Sequence, residues 1–296
     1  MAAAMVVMLA GEAKGQIFVA NEDGNNIGEY TTSGATVNAS LISGLSYPTG
    51  IALDGNGHVF VANNDKGTIG EYTTSGATVN ASLITGLNSP WAIALDGRGH
   101  LFVANNNYQS TIGEYTTSGA TVNAALISVN WPTGIAVDGS GHLFVEIYGN
   151  GTIAEYTTSG TIINPSLVTG LESAVALTLD GNEHLFVANV ASGTVGEYTT
   201  TGETVNAALI SGLEHPYGLA LDADGHLFVD NYFSGTIGEY TVSGQTVNAA
   251  LISGLNCPFG LAVLIPEPSS AVFLTLGLAC LVEQRVSARR RLTAPS

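Results

Sequence analysis

Asp54, His58 and Glu71 stand close together in the sequence. An imidazole with two carboxylates is the composition of a general acid–base site. A second set is His215, Glu146 and Asp230, one histidine and two acids that could share a proton or hold a divalent cation such as calcium. A third is aromatic and amide: Tyr47, Trp91, Trp131, Tyr217 and Phe259, with Asn63, Asn105 and Asn189. Flat rings and amides are what a site for sugars or an apolar partner uses. Which of these sets does chemistry depends on the elements that position them.

Those elements recur. "IFVAN" at 17–21 returns as "VFVAN" at 59–63, "LFVAN" at 101–105, "LFVEI" at 143–147, "LFVAN" at 185–189 and "LFVDN" at 227–231. A Glu-Tyr pair returns at Tyr30, Tyr72, Tyr115, Tyr156, Tyr198 and Tyr240, at intervals of 42, 43, 41, 42 and 42 residues. Each unit holds four β-type segments, here lettered a to d. In the second unit they are "GIALD" (50–54), "HVFVAN" (58–63), "TIGEYTT" (68–74) and "ATVNASLI" (77–84), with turn residues between them. Four short antiparallel strands per unit of this length predict a β-propeller blade. The chain opens on a strand b (16–21) and reaches its last strand a at 260–264. The expectation is therefore an all-β, six-bladed propeller, its ring closed by strand a from the C-terminal side (260–264) with strands b to d from the N-terminal side (16–42).

Repetition changes the reading of the first trio. Asp54 has counterparts at 96, 138, 180 and 222, and His58 at 100, 142, 184 and 226. A catalytic group is needed once, so residues repeated in every blade are expected to be joints: the Asp caps the a–b turn and the Tyr after Glu packs between blades. The alternative is a ring of acids holding a cation near the lower channel mouth. Function is expected where the repeats disagree, on the upper face shared by the b–c and d–a connections. There the d–a connections carry Tyr47, Trp91, Trp131, Tyr217 and Phe259, and only the blade entered at Ser173-Ala174-Val175 lacks an aromatic. Glu146 and Asp230 replace alanine near the end of strand b, and His215 is the histidine outside the repeated set. Cys257 is on this face with no base in view.

Composition narrows the function classes. Residues 14–265 hold 21 acids against Lys14, Lys66 and Arg98, about −18 in net charge. Such a surface repels phosphate backbones, so no nucleic acid partner is expected. P-loop, dinucleotide, zinc and nucleophile-elbow motifs are absent. "DADG" (222–225) hints at a calcium loop without its downstream ligands. No organic cofactor is expected.

The two ends read as addresses. "MAAAMVVMLAGEA" (1–13) has the apolar length and small residues of a secretory signal peptide, without a basic start. The tail 266–296 opens with Pro-Glu-Pro (266–268), continues as an apolar run (271–282) read as a helix, and ends in an Arg cluster (285–291). This order resembles the PEP-CTERM sorting signal. The resemblance implies export from a Gram-negative bacterium, a membrane protease that processes the tail, and a cell-surface or matrix location. The run has 12 apolar residues where a span needs about 20, so anchoring is expected to be transient or weak.

"PTGIALDGNGHVFVAN" (48–63) resembles the NHL repeat, and "IGEYTTSG" (69–76) looks like the blades of streptogramin lyase-type propellers. The first implies the propeller fold. The second implies an enzyme using several His and Glu on one face, against one His here. The reading that leads is an exported binding module whose upper face takes a glycan, matrix polymer or protein. The alternatives are a metal-assisted lyase or lactonase using His215, Glu146 and Asp230, and a purely structural surface component.

Overall fold

The computed structural model describes residues 15–107 and 110–264. Its strands form six four-stranded antiparallel sheets. Blade 1 orders the strand Pro258–Leu264 beside Gln16–Asn21, Asn26–Thr31 and Thr36–Ser43. The other five sheets run a-b-c-d in chain order, blade 2 being Pro48–Leu53, His58–Asn63, Thr68–Thr73 and Thr78–Ile84. Each innermost strand a packs on the next, and that of blade 6 packs on that of blade 1, so the ring closes. The expected six-bladed propeller, with its closing blade built from both ends of the repeat region, is the fold observed.

The sequence dictates each strand's place. Strand b is buried on both faces, with Phe18, Phe60, Phe102, Phe144, Phe186 and Phe228 at the same position of each blade. Tyr30 and its five counterparts on strand c are also buried, inside clusters that join adjacent blades. Strand d is exposed over most of its length and leaves regular register with strand c in every blade. The departure near the edge strand disfavours edge-to-edge pairing between molecules.

Strand a begins earlier than "GIALD" indicated, at Pro48 in blade 2 and Pro258 in blade 1. Proline is tolerated there because strand a is the inner edge of its sheet, where a missing donor breaks no ladder. The residue before it is left-handed in all six blades: Tyr47, Ser89, Trp131, Ser173, His215 and Cys257 have φ between 52° and 57°. The expected signal peptide (1–13) and sorting tail (266–296), with its expected helix, lie outside the described residues. Among the described residues the helical element is a single 3-10 turn, Tyr148–Asn150, and no helix is long and apolar enough to cross a membrane.

Candidate functional site

The Asp–His–Glu trio does come together, five times over. His58 Nδ1 lies 2.9 Å from Asp54 Oδ2 and 3.8 Å from Glu71 Oε1. His184 leans the other way, 2.7 Å from Glu197 and 3.9 Å from Asp180. The trios of His100, His142 and His226 fall between. In blade 1, Gln16 donates to Glu29 in place of the histidine. Asp54 Oδ1 also accepts the N–H of Asn56 at 2.7 Å and of His58 at 3.0 Å, the expected turn cap. Burial raises the Asp54 pKa, but these donors and the imidazole outweigh it and hold the group below its ordinary value. The trio is a joint at each lower turn.

The aromatics divide into two sets with different jobs. Tyr47 and Trp131 occupy the left-handed position before proline and are exposed, Trp131 at 48%. Trp91, Tyr217 and Phe259 follow the proline and turn inward over the channel. Tyr217 and Phe259 stack at 4.7 Å, and Trp91 meets Phe259 edge-on at 5.0 Å. Thr49, Thr133 and Val175 hold this place in the other blades, so the roof is one-sided. Beneath it the inner strands enclose about 90 Å³.

Glu146 and Asp230 do not meet His215 at a common centre. Among the described residues, no three of His, Cys, Asp and Glu gather as a group able to hold a metal ion. Both acids are fully buried (0%), one in blade 4 and one in blade 6. Glu146 accepts from the Thr133 hydroxyl and the Gly134 N–H, and its Oε1 has no protein partner. Burial pushes its pKa up to about 8. Asp230 accepts the Tyr217 N–H at 2.6 Å, leaves Oδ2 without a protein partner, and is raised well above the carboxylate range by burial. Strand a of blade 6 is the short one, Leu219–Leu221. His215 packs on Phe233 with ring centres 4.3 Å apart.

The asparagines expected at a ligand are buried instead. Asn63 Oδ1 accepts the Ser46 N–H at 3.2 Å and so fixes the d–a connection. Asn105 and Asn189 occupy the same buried position. Asn231 likewise accepts the Glu214 N–H at 2.9 Å, whereas the Oδ1 atoms of Asn105 and Asn189 are buried without a protein partner.

The sequence reading missed a cluster at the closing blade. Glu22, 2% exposed, accepts the Tyr232 hydroxyl at 2.7 Å and a second hydrogen bond from the Tyr47 phenol. It thus joins blades 1, 2 and 6. Burial, then the Glu22 charge, push the Tyr47 pKa up to about 12. Burial and the neighbouring Asp23 and Asp65 raise that of Glu22, against the pull of the two phenols. Asp23 accepts from the Cys257 thiol at 3.2 Å. Comparing the first residue of each b–c connection would have found the cluster: it reads Glu22, Asn64, Asn106, Tyr148, Val190 and Tyr232.

Apart from the one Phe and one Tyr repeated in each blade, every described aromatic lies on the upper face: Tyr47, Trp91, Trp131, Tyr148, Tyr217, Tyr232, Phe233 and Phe259. Six blades of four antiparallel strands with one variable, aromatic face define a six-bladed β-propeller. The chain belongs to the virginiamycin B lyase family, which matches residues 1–240. Of the two sequence resemblances, the one to lyase-type blades is thus the one that a family match supports. No curated protein matches the chain. It is similar to a chain of a nidogen/laminin complex at 15% identity and TM-score 0.71, covering 85% of this chain and 98% of that one. It is also similar to a gluconolactonase from Xanthomonas campestris at 14% and 0.62, covering 74% and 84%. A protein of unknown function from Bacteroides caccae matches at 15% and 0.67, covering 86% and 100%. At these identities the likeness is one of fold.

Proposed function

We propose that the protein is a binding module whose upper face takes a glycan, an extracellular polymer or a protein. The carrying observation is the confinement of all non-repeated described aromatics to that face, four of them exposed: Tyr47, Trp131, Tyr148 and Phe233. Exposed rings on a rigid scaffold are stacking platforms for sugars and anchors for partners. The proposal includes export, with the tail 266–296 as the sorting signal cut by a membrane protease. Pull-down of the full chain on insoluble polysaccharides tests the binding. Trp131→Ala and Tyr148→Ala are each expected to weaken it about tenfold, which is about 1.4 kcal/mol. Binding that ignores both substitutions would remove the reading.

A second reading is enzymatic and draws on the family match and the gluconolactonase likeness. It makes the chain a metal-assisted lyase or lactonase whose reacting groups are not the trio His215, Glu146 and Asp230, since these do not meet at one centre. Turnover of virginiamycin B or gluconolactone in the presence of a divalent cation, lost on chelation of that cation, would replace the binding reading.

A further inference from the structure

We infer that the ligand of the upper face is a cationic glycan, a polymer bearing free amines. This rests on the binding reading above and adds the charge and shape of the ligand. The space under the aromatic roof, about 90 Å³, is far below the ~300 Å³ of a small-ligand pocket. The exposed rings instead stand around the rim, on the connections of blades 2, 4 and 6. That layout suits an extended chain lying across the face, gripped at several points.

The same connections expose Asp23, Asp65, Glu172 and Glu214 against one lysine, Lys66. Among the described residues no lysine or arginine forms an ion pair with any of them. A face of one sign concentrates ligands of the other and repels its own. Ammonium groups also bind the faces of Trp and Tyr rings, an attraction that a neutral sugar does not gain. An acidic polysaccharide would meet a field of its own sign and be repelled. Charge complementarity and ring placement therefore select the same ligand.

Chitosan, its acetylated form chitin, and acidic alginate are the probes, each tested with the full chain at low and at physiological salt. Chitosan is expected to bind at least tenfold more tightly than chitin, and less tightly as salt rises. Because any acidic protein attracts a polycation, two matched charge removals locate the binding. Asp23→Asn with Asp65→Asn, on the upper connections, should weaken chitosan binding severalfold. Asp224→Asn with Glu203→Gln, on the opposite turns, should leave it unchanged. Trp131→Ala should weaken it with no change of charge. Equal losses from the two charge pairs, or equal affinity for chitosan and chitin, would overturn the cationic-glycan inference. In the second case a loss in Trp131→Ala still leaves the binding reading standing. Preference for alginate would overturn the inference as well. Failure to bind any of the three polymers would overturn it and count against the glycan part of the parent reading.

Discussion

Glu146 and Asp230 stand where four other blades have alanine, and each buries a carboxyl oxygen that no protein donor reaches. For Glu146 the folded pKa, about 8, lies above the ordinary 4.5. Between those values the folded state holds a proton the unfolded chain has released, so stability falls as pH rises. The contribution is complete below the unfolded value and is lost as pH passes through about 8. Thermal melts from pH 5 to pH 9 should show this decline, and Glu146→Gln should flatten it by a few kcal/mol at the alkaline end. Asp230→Asn should act in the same direction. Asp54→Ala removes the acceptor of two backbone N–H groups and should cost about 1–2 kcal/mol without affecting ligand binding, as a joint requires. Repetition made the role of Asp54, His58 and Glu71 legible in the sequence. Burial of Glu146 was not legible, because strand b is buried on both faces and the period of two that separates inside from outside vanishes there.

Strands and turns were legible from the repeated words, since each blade restates the same alternation of β-type runs and glycine turns. The start of strand a was not, because Pro48 reads as a breaker until its strand is known to be an inner edge. The left-handed residues before it were hidden too. Trp131 and Tyr47 are poor candidates for positive φ on type alone, and only the ladder geometry requires it. Two glycines separate the roles of this element. A Cβ on Gly260 would lie 2.0 Å from the Thr49 carbonyl oxygen, where blade 1 meets blade 2. Gly260→Ala should destabilise by about 3 kcal/mol or more, measured by denaturant unfolding. Gly44, at φ 74°, faces open space, and Gly44→Ala should cost only about 1–2 kcal/mol of backbone strain.

The molecule is a ring with a seam. Blade 1 joins Gln16–Asn21 to Pro258–Leu264, and Glu22 adds hydrogen bonds to Tyr47 and Tyr232 on either side. Deleting residues 258–296 should leave the strand Gln16–Asn21 as an open edge, broaden the melting transition and promote aggregation, as light scattering would detect. Glu22→Gln, which keeps the acceptor oxygen but not the charge, should lower cohesion at the seam by only about 1 kcal/mol. The seam also sets a schedule. During synthesis the first three strands of blade 1, complete at Ser43, must wait for Pro258, more than 200 residues later. At the usual pace of translation that is roughly ten to forty seconds. Throughout that interval an apolar strand is exposed on a growing chain. A chaperone has that long to hold it unfolded, before the last strand arrives and the ring locks.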